Sequence, residues 1–307
     1  MRYKSADKCI IPNESVIDPD YLYYITKDLY SLLSSLGSDG TAVPILNKSD
    51  FKTLILSFLA LKNKNPSPPS SVASTSKIDL LHRQNKTLEA MAEALFRQWF
   101  VEGVGDAKPV VLGDYVEVFN GVSYKSDDLQ PSKTAMVTLK SFDRNGGFRR
   151  DGFKEFTGKY KPEHVVEQGD LVVAHTDITQ DAAVIGNPVL VVTDPAYEKL
   201  VISMDLVKVK SRFDWLTNEF LYVLMRTSDF KQHCLGYSNG STVLHLSKKA
   251  IPSYEFNFPS IEKVGEFSLL AKNLFSKKFK NIEQVISLEK LRDSLLPKLM
   301  SGEVRIS

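Results

Sequence analysis

Apolar residues at Ile78, Leu81, Leu88, Ala92, Leu95 and Trp99 fall at alternating steps of three and four, with Asn85 in the same series. That spacing predicts a long helix starting near Ser76, with Asp79 three residues on as a weak variant of a capping box. A period of 3.5 sustained over three heptads is the pattern of a helix lying along another helix. A single amphipathic helix on a globular core is the competing reading. A lone Asn85 in such a seam fixes register, because an unpaired buried amide is costly. Ile261 to Leu299 predicts a second long helix, in which Val285, Leu288 and Leu295 take the seam positions and Pro297 loosens the last turn. The two helices are expected to pack antiparallel, with Leu81, Asn85, Leu88, Leu95 and Trp99 facing Val285, Leu288 and Leu295. For Trp99 and Phe100, core packing competes with a partner-facing hot spot.

Between the helices the pattern changes. Tyr115 to Val118, Ala135 to Leu139, Leu171 to Ala174, Val189 to Val192 and Met204 to Lys210 are short, alternating or β-branched, and Gly, Pro, Asn and Asp separate them. Phe220 to Phe230 reads as a helix, followed by a loop from Leu235 to Thr242. The class expected is α+β: a mixed-sheet domain plus two long antiparallel, coiled-coil-like helices. Residues 1–62 read as a short globular piece, with a helix at Leu22 to Leu36 and strands at Thr41 to Leu46 and Leu54 to Leu59. Residues 63–76 contain the Pro/Ser-rich run NPSPPSSVASTS and read as a connector. The remaining divisions are 77–104 for the first long helix, 105–259 for the complete globular unit, and 260–307 for the second long helix and a tail whose Ser301 to Ile306 can add a strand.

The chain also resembles itself at an offset of 200 residues. Gly40-Thr41-Ala42-Val43 is answered by Gly240-Ser241-Thr242-Val243, Leu88-Glu89 by Leu288-Glu289, and Leu95 by Leu295. So long a period excludes a solenoid and indicates one module, a globular unit followed by a long helix, present twice. The first copy is short at its N-terminal side.

Composition adds exclusions. With 43% hydrophobic and 10% aromatic residues the chain can build real cores. A net charge of +2 does not announce a nucleic-acid binder, and Val110 to Glu255 holds 17 Lys+Arg against 19 Asp+Glu. Any DNA-binding surface must therefore be local. Lys140 to Lys161 is one such patch, with seven basic residues against Asp143, Asp151 and Glu155, and a solvated loop face is its bland alternative. The basic residues Lys272, Lys277, Lys278 and Lys280 read as a solvated helix face. Two cysteines, Cys9 and Cys234, and five histidines give no metal constellation. No signal-peptide pattern is present and the apolar run near Leu54 to Leu61 is too short to span a bilayer, so a reducing cytoplasm is expected.

The segments LEAMAEALFRQWFVEG (88–103) and LEKLRDSLLPKLMSGEVRI (288–306) resemble the two conserved helical regions of type I restriction-modification specificity subunits. LGDYVEVFNGVSYKSDDL (112–129), Gln168-Gly169-Asp170-Leu171-Val172-Val173 and GYSNGSTVLHLSKKAI (236–251) resemble parts of that family's target recognition domain. The resemblance covers nearly the whole chain. It implies a non-catalytic subunit that recognises one half of a bipartite double-stranded DNA site with each recognition domain and serves as scaffold for methyltransferase subunits and a translocating restriction nuclease. S-adenosylmethionine, ATP and Mg then belong to those partners, and this chain carries no cofactor. Residues 1–62 match only the end of a first recognition domain, an N-terminally truncated remnant. An interaction-only or recombination-cassette fragment is the alternative, followed by part of a stand-alone DNA modification enzyme.

Reading sequence requires donors and acceptors in a groove and cations on phosphates. Three loops supply them. Lys140, Arg144, Asn145, Arg149 and Arg150 surround Gly146-Gly147. His175, Thr176, Thr179 and Gln180 follow the Gly-Asp strand, with Asp177 among them. Ser238, Asn239, Ser241, Thr242, His245 and Lys248 form the third set, with Lys249 beside it. For each residue singly, a solvated loop side chain competes with a DNA contact. Enzyme readings lack a basis: the sequence has no phosphate-binding Gly-x-x-x-x-Gly-Lys-Ser/Thr loop and no dinucleotide-binding glycine turn, and Asn65-Pro66-Ser67-Pro68 lacks the aromatic residue of a methyltransferase motif.

Overall fold

Prolines decide where the first long helix begins. In the computed structural model, which describes residues 70–103, 107–144, 146–179, 181–240 and 242–301, helix α1 spans Ser70–Arg97. It starts earlier than the expected Ser76, because the last proline of the connector is Pro69 and nothing after it removes a helical N–H. Ser76 is thus interior to the helix and the capping-box variant with Asp79 does not apply. The expected elements within residues 1–62, and the tail from Gly302 on, lie outside the described residues. Among those described, two compact units are present, 70–82 with 283–301 and 83–282, and each is taken by itself.

The first unit is small. Ile78, Leu81 and Val285 are buried against one another, and Leu288 packs on them from the second long helix. Leu295 is half-buried. That second helix, Ile261–Ser301, is designated α4 below because α2 and α3 precede it; it continues through Pro297 instead of loosening there.

In the second unit the helix pairing is antiparallel: Asn85 meets Asn281, Glu89 meets Lys278, and Phe96 meets Phe267. The seam, however, drifts from the predicted line. Ala92, Phe96 and Phe100 are buried, while Leu88 is half-buried and Leu95 and Trp99 pack at the margin of the core. Steps of four follow the 3.6-residue period of a straight helix, which suits a helix pressed on a globular core as well as on a partner helix. A π-helical turn at Gln98–Glu102 presents Phe100 inward. Phe96, Phe100, Phe220 and Phe267 form a cluster with centroids 4.9–5.7 Å apart. Asn281 donates to Asn85 Oδ1 at 2.9 Å, so the expected register amide has an amide partner on α4.

The strands are β1 (Lys108–Val111), β2 (Val116–Asn120), β3 (Thr134–Val137), β4 (Lys154–Glu155), β5 (Val165–Val166), β6 (Leu171–Ala174), β7 (Thr176–Asp177), β8 (Pro188–Leu190), β9 (Lys199–Ile202) and β10 (Leu206–Ser211). Helices α2 (Asn218–Met225) and α3 (Ser228–Gly236) follow, then β11 (Ser238–Asn239), β12 (Leu244–Leu246) and β13 (Glu255–Phe258). One sheet has the order β2-β10-β6-β8, all antiparallel; a second, β4-β3-β9-β5, pairs β3 and β9 in parallel; β1 and β13 form a ribbon leading into α4. Buried β6 residues alternate between two cores. Leu171 and Val173 face the aromatic cluster and α2, whereas Val172 and Ala174 face Ala135, Val189 and Leu206. A strand buried on both faces reads as a continuous apolar run, which is why Leu171 to Ala174 was legible. The architecture is α+β with mixed sheets.

Candidate nucleic-acid interface

A three-stranded sheet assembles the site. β7 pairs with β12, and β12 with β11, which puts Thr176 opposite His245 and His245 opposite Asn239. The second and third polar loops, far apart in the sequence, therefore form one surface. His245, Asn239, Thr242, Lys248 and Lys249 are exposed on or beside it, and His175 is half-buried at its base. Asn145, Gln180 and Ser241 lie outside the described residues.

Several residues marked by the sequence prove to be scaffolding. Thr176 is buried and its hydroxyl donates to Asp205 at 2.9 Å, so it is corrected from a base-reading to a structural residue. The Thr179 hydroxyl donates to Asp177 at 2.6 Å, and Ser238 donates to the Cys234 carbonyl at 2.8 Å. Both hydroxyls are committed within the fold. Asp177 is the organiser. Its buried carboxylate also accepts from the N–H groups of Thr179, Val184 and Ile185 at 2.6–2.9 Å. Burial alone would raise its pKa, but these hydrogen bonds hold it below the ordinary carboxylate value. The same loop carries Ala182 at φ +52°, a costly conformation for a residue with a side chain. Lys231 of α3 holds it by donating to the carbonyls of Ala182 and Ile185 and to Asn187 Oδ1 at 2.6–3.0 Å. No local signal in the sequence singled out Lys231. At Gly186, φ is +74° and an added Cβ would lie 2.7 Å from Cys234 Cβ, so only glycine lets α3 approach. Cys234 is buried there, and burial pushes its thiol up to about 12.

The first loop is built differently. Phe142 bridges Phe148, Arg149 N–H donates to the Ser141 carbonyl at 2.8 Å, and the Thr138 hydroxyl donates to the Gly152 carbonyl at 3.1 Å. Gly146 and Gly147 form its tip at φ +91° and +106°. A side chain at Gly146 would collide with the Arg226 guanidinium, which bonds Glu93 of α1 at 2.6 Å. Two of the four candidate cations here are engaged. Arg149 pairs with Asp151 at 2.6 Å, and half-buried Arg150 with Asp194 at 2.8 Å. Arg144 and Lys140 are exposed. Lys278, expected on a solvated face, instead pairs with half-buried Glu89 at 2.5 Å; Lys272, Lys277 and Lys280 are exposed. Burial would raise the Glu89 carboxyl, but Lys278 and the Tyr222 hydroxyl leave it below its ordinary value.

Beside β2 runs a groove of about 490 Å³, lined by Arg212, His175 and Lys248 among others. No reading of the sequence singles out Arg212, which follows the strand that carries Lys208 and Lys210. Among the described residues no group of three or more His, Cys, Asp or Glu side chains is placed to hold a metal, and no helix is long and apolar enough to cross a membrane.

The specificity subunit of the type I restriction enzyme MjaIX from Methanocaldococcus jannaschii is 25% identical to this chain over 331 aligned positions, covering 97% of this chain and 71% of that protein. This chain is thus similar to a type I restriction specificity subunit along nearly its whole length. No protein-family model matches it. Among solved structures, the type I restriction-modification S subunit from M. genitalium aligns at 16% identity over 94% of this chain and 74% of its own, with a TM-score of 0.49. The HsdS subunit from Thermoanaerobacter tengcongensis aligns at 13% identity over 94% and 71%, with a TM-score of 0.41.

Proposed function

We propose that this relative of the specificity subunits is a non-catalytic, sequence-specific double-stranded DNA-recognition subunit and assembly scaffold of a type I restriction-modification complex. The observation that carries the reading is the β7–β12–β11 surface, where His245, Asn239 and Thr242 stand exposed beside Lys248 on a rigid base. Such groups suit base edges, and the adjacent lysine suits a phosphate. The sequence relationship to a specificity subunit supports the same role. In this reading the complete unit, residues 105–259, recognises one half of a bipartite site. The helices space the halves and dock methyltransferase subunits, and a translocating restriction nuclease completes the cytoplasmic assembly. S-adenosylmethionine, ATP and Mg sit on those partners.

The test is selection from a randomised duplex pool by the full chain, alone and with its methyltransferase partner. Enrichment of a defined base pattern supports the reading; recovery of an unselected pool in both conditions overturns it in favour of an interaction-only protein. Labelled methyl transfer by the purified chain alone would overturn the non-catalytic assignment.

A further inference from the structure

The groove beside β2 is more than a gap between sheets. Two cations and an imidazole from three elements line it: Arg212 after β10, Lys248 after β12, and His175 after β6. Each is held differently. The N–H of His175 donates to the Asp205 carbonyl at 2.8 Å and its carbonyl accepts from Leu246 N–H at 2.9 Å, so the backbone carrying the imidazole is fixed at both ends. Arg212 Nε donates to the Val116 carbonyl at 3.2 Å and its Nη1 stands 3.4 Å from the Glu117 carboxylate. Those contacts aim the guanidinium without occupying all five of its N–H groups. Lys248 is exposed at the rim.

We propose that this groove is a phosphate-binding site that takes a nucleic-acid backbone phosphate between Lys248, Arg212 and His175, with His175 gaining a proton as the phosphate arrives. The proposal rests on the DNA-recognition reading for the source of the phosphate. The balance of charge favours an anion. The charged or titratable groups facing the site are His245 on β12, Lys248 after it, Arg212 after β10, and Glu117 on β2. Asp205 turns its carboxylate to the Thr176 hydroxyl. Among the described residues, Glu117 is the single acid lining the groove, and it already faces Arg212. The volume exceeds what a phosphate alone requires, and the half-buried Phe119 offers an apolar surface for a flanking sugar.

Proton uptake follows from the surroundings of His175. Burial first, then His245 and Lys248, hold its pKa below the ordinary imidazole value. A phosphate between Lys248 and His175 neutralises the first cation and attracts the second proton, which raises that pKa. A group that binds its proton more tightly in the complex makes affinity rise as pH falls through the interval between the two values.

The experiment uses the full chain with histidine rings labelled at Cε1, titrated with a randomised duplex pool, with inorganic phosphate alone and with a free nucleotide monophosphate, at several pH values between about 5.5 and 8. The expected result is a duplex affinity that rises roughly three- to tenfold from about pH 8 to about pH 6, together with an upward-shifted His175 titration. His175→Gln flattens that pH response, whereas His245→Gln keeps most of it. Lys248→Ala reduces the salt slope by about one. A His175 response to phosphate or nucleotide without duplex binding upholds the anion site, assigns it to a free phosphate source and fails the DNA reading. Duplex binding with an unmoved His175 titration and an unchanged pH response in His175→Gln overturns the site and leaves the DNA reading standing. A His175 titration unmoved by all three probes overturns the site as well.

Discussion

The loop at Thr138 to Gly152 and the β7–β12–β11 sheet both carry candidate polar residues, yet they use them differently. In the loop two of the four candidate cations close on neighbours, Arg149 on Asp151 and Arg150 on Asp194, while Lys140 and Arg144 stay exposed. In the sheet the internal charge is one carboxylate, Asp177, buried beneath the surface, while His245, Asn239 and Thr242 are left outward. A run of basic residues is therefore a poor measure of a basic surface. What matters is whether each cation already has an anion, and whether the groups on display stand on something rigid.

The sharpest way to break this comparison is at Asp177. Asp177→Ala leaves buried N–H groups of Val184 and Ile185 without an acceptor and is expected to cost about 3 kcal/mol or more, read as a lower urea midpoint. Asp177→Asn adds a pH signature. Because the folded carboxyl lies below its ordinary value, its contribution is complete above about pH 4 and is lost as pH falls through the folded value. The wild type should thus lose stability in acid more steeply than the Asn variant; parallel pH curves for the two proteins would reject the role given to Asp177.

A smaller effect is expected at Asn239. Asn239→Ala should alter preference at one base position, at a cost of about 1–3 kcal/mol there, with stability unchanged. Equal weakening on every duplex would make it a backbone contact. Arg150→Ala removes a half-buried ion pair and should lower stability by about 1–2 kcal/mol. Its affinity for DNA, corrected for the folded fraction, should stay within about twofold of wild type. The smallest effect belongs to Arg149, whose pair with Asp151 is exposed. Arg149→Ala should leave the thermal midpoint where it is, and a clear downward shift would mean the pair is structural.

How far the sequence discloses this depends on the length of each signal. The long helices were legible because apolar spacing repeats over many turns, although Phe96 and Phe100 replace Leu95 and Trp99 in the core once packing on α2 counts. Phe220 to Phe230 reads as one helix but forms two, since Thr227 caps α3 by accepting from the Phe230 N–H at 3.3 Å. Strands of two or three residues such as β7, β11 and β12 carry no periodicity, and their pairing depends on residues far apart in the chain. The partner of Arg149 lies two residues away and is visible in the sequence; that of Arg150 lies 44 away and is not.

Cys234 turns the packing of α3 on Gly186 into a measurable rate. Its thiol is shielded and held up at about 12, so an alkylating reagent finds neither access nor thiolate while the helix stays seated. Every labelling event at this sulfur must therefore pass through an excursion in which α3 lifts and Lys231 releases the strained turn at Ala182. With Cys9 replaced by serine, the remaining sulfur is a single-site timer. It counts how often the packing beneath the β7–β12–β11 sheet comes undone, with no nucleic acid in the tube.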